Sequence, residues 1–426
     1  VLAEFKEIIR DNPHNYIEFS LDYAHAGQYD EAIALLELHK ENKDAVYPMI
    51  CYFQAWYHEQ NGNMPEAQSL YLLAQKMPQT YCFPNRIEET IVLQAAIGHN
   101  PLDANALYYL GNYWYATKQY PDAQACWEAS VQIDDTNAIC HRNLALLYFN
   151  KTEQKELAKV HLEKAFTLDN QDARLLMELD QFYKKINVPV ETRLAFLETN
   201  LALTVKRDDL YLEYVSLHNF TGNHEKALEL LAQRIFHPWE GGEGKVPFQY
   251  ITAHVEQAKL LIKDHKLTQA IEHLEQAKVY PHNLGEGKLY GTQENDINYW
   301  LGCAYELLGD DHKACTYWEE ASIGLAVPSP ALFYNDQQPD KIFYQGLALL
   351  KLGRKEEAIL RFSNLVAYGN EHIEDNVTLD YFAISLPDLL IWEDDLTFRN
   401  KIHCHYMLGL GNYGLGEIAK AKIHLQ

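Results

Sequence analysis

The tetrapeptide Gly-Glu-Gly-Lys occurs twice, at 242–245 and at 285–288. A glycine ahead of a lysine is how a phosphate-cradling loop ends. Such a loop also needs an earlier glycine and a Ser or Thr directly after the lysine. Trp239 and His282 stand where that first glycine belongs, and Val246 and Leu289 follow the lysines. Nucleotide phosphate binding is therefore not expected. His403, Cys404 and His405 are metal-ligating types, but residues two apart on a helix point about 200° apart and cannot grip one ion together. No metal and no cofactor is expected. No Gly-x-Ser-x-Gly, no His-Glu-x-x-His and no catalytic-cysteine signature occurs, so a complete active site within this chain is not expected either.

The two loops do offer hydrogen bonding. Glu243 with Lys245, and Glu286 with Lys288, supply matched acceptors and donors that suit a neutral polyol better than a free anion. Trp239 can stack on a sugar ring. His282, Asn283 and the Tyr334-Asn335-Asp336 segment complete a candidate wall. Glu243, Glu286 and Asp336 are the carboxylates from which a paired-acid site would be assembled. The alternative is that the loops only cap helices and brace each other through Glu–Lys pairs.

These loops must be positioned by repeats. The two strings lie 43 residues apart, and so do Ala227 and Ala270. Each string therefore falls at the same place in successive units, the loop leading into a unit's first helix. Stacked units bring equivalent loops close together. The same alanine recurs along the chain: 35 residues separate Ala32 from Ala67 and Ala123 from Ala158, and 44 separate Ala270, Ala314 and Ala358. Around it the pattern is Leu-Gly, an aromatic, Ala, then Trp, Phe or Leu. The strongest copies hold Leu110-Gly111 with Trp127, Leu301-Gly302 with Trp318, and Gly346 with Phe362. Small residues sit where two helices cross closely, and large ones fill the gaps. The pattern resembles the tetratricopeptide repeat (TPR). It implies an all-α, right-handed α-solenoid of about ten helical hairpins with inserted helices and loops.

The expected organisation is one continuous solenoid in two stretches. Residues 1–235 form an array with an inserted helix near 84–97. Residues 236–426 hold lengthened repeats, the candidate ligand loops and an insertion at 366–401. Residues 1–13 look like the second helix of a preceding repeat, and Gln426 falls inside the second helix of the last, so the sequence is expected to be an excerpt. The strings at 237–246, 280–289, 293–296, 333–336 and 402–411 resemble large bacterial TPR proteins that carry an uncharacterised β-rich domain N-terminal to the repeats. That resemblance implies an interaction with such a domain of the same polypeptide, and a link to carbohydrate metabolism.

Composition narrows the partners. Lys and Arg number 36 against 60 Asp and Glu, a formal charge of −24. Such a field repels nucleic acid and anionic membrane surfaces. No apolar run is long enough to span a membrane. Seven scattered cysteines with no Cys-x-x-Cys argue for free thiols in a reducing compartment, hence the cytoplasm.

What remains is recognition of a protein or peptide, with a glycan as the rival. In such repeats the first helix lines the concave side, and Tyr52, Tyr108, Tyr299, Phe343 and Tyr406 fall at one of its lining positions. Tyr115 lies nearby. Aromatic rings give large contact area at low entropic cost. Asn112, Asn143 and Arg174 match three places of the carboxylate clamp of chaperone-binding TPR domains. Tyr108 and Glu178 replace two of its cations, so strong carboxylate capture is not expected. The sequence reads as an interaction or ligand-recognition scaffold; the alternative is part of a carbohydrate-active enzyme.

Overall fold

The computed structural model describes residues 2–40, 46–330, 336–378 and 391–426. The chain is all-α, with 71% helix and no strand among the described residues. It divides into two compact units, Val1–Leu175 and Leu176–Gln426.

The first unit opens with the helix Leu2–Ile8. Four hairpins follow: Pro13–His25 with Tyr29–Lys40, Pro48–Gln60 with Met64–Ala74, Ala104–Ala116 with Tyr120–Ile133, and Ala138–Asn150 with Lys155–Leu168. A lone helix, Ile87–His99, lies between the second and third. The second unit, whose opening helix starts three residues before its boundary, holds six more among the described residues: Ala173–Lys185 with Val190–Thr199, Asp208–Phe220 with His224–Ala232, Lys245–Lys263 with Leu267–Ala277, Asn295–Leu308 with Asp311–Ala321, Pro339–Lys351 with Lys355–His372, and Leu396–Gly414 with Ile418–Leu425. Within each unit successive hairpins pack on one another as an α-solenoid stack.

The periodic residues explain the packing. Ala32, Ala67, Ala123, Ala158, Ala227, Ala270 and Ala358 are all fully buried where paired helices cross. A methyl group at Gly111 would overlap the Trp127 indole, and one at Gly302 or Gly346 would overlap Trp318 or Phe362. The recurring glycine before a later aromatic is therefore a seat for that ring. Turns inside the hairpins use the left-handed region: Gly62 has φ 76° and Gly309 φ 80°, and Lys118 and His265 adopt it without glycine. Asp103, Asn137, Asp310 and Asp395 cap helix starts with their side chains.

The longer period of the later repeats is partly helix. Lys245–Lys263 and Leu396–Gly414 are each 19 residues long, against 13 for Ala104–Ala116. Pro247 lies in the first turn of its helix, where no intrahelical donor is lost. Both ends of the 366–401 stretch are helical, because Lys355–His372 runs into it and Leu396 begins the next helix.

Candidate functional site

The two glycine-rich loops meet. Asn283 ties the second loop to the first: its amide donates to the carbonyls of Leu231 (2.8 Å) and Arg234 (2.9 Å), and its own carbonyl accepts from the Phe236 N–H (2.8 Å). Gly285 has φ 78° and lies against the Phe236 carbonyl, so closely that a Cβ would stand 2.5 Å from the oxygen. Glu286 accepts from the backbone N–H of Gly244 at 2.8 Å, at the start of the Lys245–Lys263 helix. A carboxylate there satisfies an orphan donor and complements the helix dipole. One face of the Trp239 indole is covered by Gly242.

The Glu–Lys pairing within each string does not form. Lys288 pairs instead with Glu294 at 2.5 Å and donates to the Lys278 carbonyl. The protein around Lys245, together with Lys184 and Arg399, holds its ammonium below the usual lysine value, against the opposite pull of Glu213 and Glu243. Glu243 and His282 are exposed. The Asp336 carbonyl accepts from Gln293 and Gln338. Tyr334 and Asn335 lie outside the described residues, as do 379–390 of the 366–401 insertion.

The aromatic candidates are mostly core. Tyr52 is fully buried and donates to Asp103 at 3.0 Å, because the helix Ile87–His99 packs on its helix. Tyr108 is buried, and Phe343 packs on Phe362. Tyr115 packs against Trp127, and Tyr299 lies against Trp300 and Tyr344. Asn112 accepts from Trp127 (3.2 Å) and from Asn143 (3.1 Å), while Arg174 is exposed. Tyr406 alone of these aromatic candidates keeps a large open surface, 40%.

Around Tyr406 the second unit forms a cavity of about 330 Å³. Pro330, Val377, Leu396 and Ile402 give it apolar walls; Gln338, Arg399, Asn400 and His403 supply polar groups. His403 Nε2 lies 3.0 Å from the Ser329 carbonyl and donates to it, which leaves Nδ1 as an acceptor. Burial lowers the His403 pKa, as does Arg399, so the ring stays neutral at pH 7. The Arg399 guanidinium reaches Asp394 only at 4.0 Å. Close protein packing and Asp340 push the Tyr406 phenol well above its usual value, so it remains a donor. Lys341 pairs with Asp296 at 2.6 Å and with Asp340 at 3.6 Å. Burial opposes the Lys341 charge, but the two carboxylates win and raise its pKa.

A third feature holds the unit together. Trp392, only 3% exposed, donates to the Glu178 carbonyl at 3.1 Å and packs on Phe182. Asp394 pairs with Lys185. Beside them Arg193 binds Asp180 in a fork and also reaches Glu213 at 2.8 Å. The segment before the last hairpin thus returns to the first helix of its unit.

Sequence reading missed Lys341, Asp296, Arg399 and Trp392 as a group. One signal was available: Asp296 and Lys341 lie 45 residues apart, close to the local repeat of 44. The seven cysteines are all free thiols. No group of three or more His, Cys, Asp or Glu among the described residues is placed to hold a metal ion. No helix among them is long and apolar enough to cross a membrane.

Residues 104–137 and 296–321 match tetratricopeptide repeat family profiles. Among solved structures, the chain is similar to a tetratricopeptide repeat protein from Parabacteroides merdae ATCC 43184. Identity is 13%, coverage is 68% of this chain and 98% of that one, and the TM-score is 0.29. TTC0263, a thermophilic TPR protein of Thermus thermophilus, is 17% identical over 48% of this chain and 98% of its own, at TM-score 0.27. A chain from the Naa15/Naa10 complex bound to HypK-THB is 12% identical, with 88% and 55% covered and TM-score 0.40.

Proposed function

We propose that this chain, which carries tetratricopeptide repeats, is a protein-interaction scaffold whose Leu176–Gln426 unit holds a partner segment at the cavity beside Tyr406. The observation that carries the reading is the cavity itself. Apolar walls stand beside a guanidinium that approaches Asp394 only at 4.0 Å, a phenol donor and a neutral imidazole acceptor. Concave, mostly apolar sites with a few placed polar groups are the usual form of a recognition pocket. Aromatic and arginine side chains carry most of the energy at such contacts. The partner that fits is a peptide presenting an aliphatic side chain next to an acidic group. The strings at 237–246 and 280–289 make a β-rich domain of the same polypeptide one source of that segment.

The test is selection from a displayed random-peptide library on the whole chain, followed by affinity measurement. Arg399→Gln should weaken the selected peptides by at least about tenfold, and Tyr406→Ala by a similar factor, with unchanged helical content. Undiminished binding by both variants would remove the cavity from the account. Selective binding to a glycan array instead, lost in Trp239→Ala, would replace the peptide by a sugar.

A further inference from the structure

Three hairpins carry the same side-chain pair. His141 with His161, His254 with His273, and His405 with His424 each bring their Nδ1 atoms to 2.9 Å. One ring of each pair stands on the first helix of its hairpin. The other stands on the second helix, three residues after the packed alanines Ala158, Ala270 and Ala421. Hairpin geometry does not demand histidine there: the corresponding residues Tyr211 and Leu230 are joined by a hydroxyl-to-carbonyl bond of 3.0 Å.

Two ring nitrogens at 2.9 Å need one N–H and one bare nitrogen between them. In the first pair the roles are fixed. His141 Nε2 lies 3.1 Å from the Asp135 carbonyl and must carry a proton. Its Nδ1 is then an acceptor, and His161 donates. One added proton leaves this contact in place but buries a cation. A second puts two imidazolium rings together with no acceptor between them.

We propose that the three pairs form an acid-sensitive lock: neutral, they join the two helices of their hairpins, and proton uptake releases them. Burial disfavours the charged rings, and the partner histidine adds to it. His161 and His254 are both pushed down to about 4. His141, His273 and His424 are also lowered, chiefly by burial. The surrounding charges act against this without prevailing. They are Glu128 beside His161, Asp135 beside His141, and Glu225 and Glu272 beside His273; Lys164, paired with Asp135 at 2.7 Å, assists the lowering at His141. Tyr148 and Tyr250 pack their rings on His161 and His254 and stay neutral. Folded-state pKa values below the unfolded value mean stability that is complete above about pH 6.5 and is lost as pH falls toward 4.

The test is hydrogen exchange on the whole chain at pH 7.5 and 5.5, corrected for the intrinsic pH dependence of exchange. A ring with a pKa near 4 when closed and about 6.5 when open favours opening about tenfold at pH 5.5. Protection of 138–168 and 245–277 should fall by at least that factor and that of 396–425, whose pair is more exposed, by less, while the pairless hairpin Asn295–Ala321 changes least. An equal change in all four would overturn the lock. A chain with His141→Gln, His161→Gln, His254→Gln, His273→Gln, His405→Gln and His424→Gln together keeps amide donors and acceptors that do not titrate. It should hold its protection at pH 5.5 within about threefold of that at pH 7.5. Acid sensitivity equal to the parent's would overturn the proposal as well. If the variant does not fold, the parent comparison alone decides.

Discussion

Glu286 accepts the backbone N–H of Gly244 at 2.8 Å, joining the two loops through residues 42 apart in the chain. Glu286→Ala should destabilise the second unit by about 1 kcal/mol, the value of a helix-start acceptor. Glu286→Gln, which keeps an acceptor, should cost less. Lys288→Met removes the partly exposed pair with Glu294 and the bond to the Lys278 carbonyl, and should cost about 0.2–1 kcal/mol. Urea denaturation of the three variants checks the order. A Lys288→Met loss larger than that of Glu286→Ala would show that charge pairing, rather than capping, braces the loops.

Trp392 predicts a larger effect. Removing its buried indole should cost about 3–5 kcal/mol within the second unit. Hydrogen exchange in residues 176–185 should accelerate in Trp392→Ala, while the Pro13–Lys40 hairpin is unaffected. Trp392→Phe keeps a ring against Phe182 but loses the bond to the Glu178 carbonyl and part of the indole's bulk, so its effect should be smaller, about 1–2 kcal/mol. Unchanged exchange in Trp392→Ala would mean that the segment does not hold the unit closed.

The thiols give a chemical prediction. Burial pushes Cys82 and Cys140 up to about 12, so at pH 8 only about one in ten thousand of each is thiolate. Cys315 is exposed. A thiol reagent at pH 8 should label Cys315 first and leave Cys82 and Cys140 untouched until the chain unfolds. Seven thiols should then react in denaturant. Rapid native labelling of Cys140 would show that its hairpin opens readily.

The repeat was legible because its determinants are local. Gly111 is followed by Trp127 at a fixed distance, since the ring needs a seat without a side chain, and Ala123 must be small where the helices cross. The approach of the two Gly-Glu-Gly-Lys loops was legible for the same reason, from their spacing. What they do on meeting was not: Asn283 and Glu286 bond to backbone atoms, and backbone partners leave no mark in residue types. Tyr52 looked like a lining residue because one periodic position was read without the inserted helix that covers it. Trp392 and Glu178 are 214 residues apart, and no periodicity links them. The histidine pairs were hidden too, because 19 or 20 residues between two histidines means nothing until the hairpin that joins them is known.

A partner seated at the Tyr406 cavity is tested most directly by hydrogen exchange of the whole chain with and without a saturating selected peptide. A partner seated there should bring new protection in Leu396–Gly414, the helix that carries Arg399, His403 and Tyr406. Protection confined to the loops at 236–246 and 280–289, or to Val1–Leu175, with Leu396–Gly414 unchanged, would contradict it.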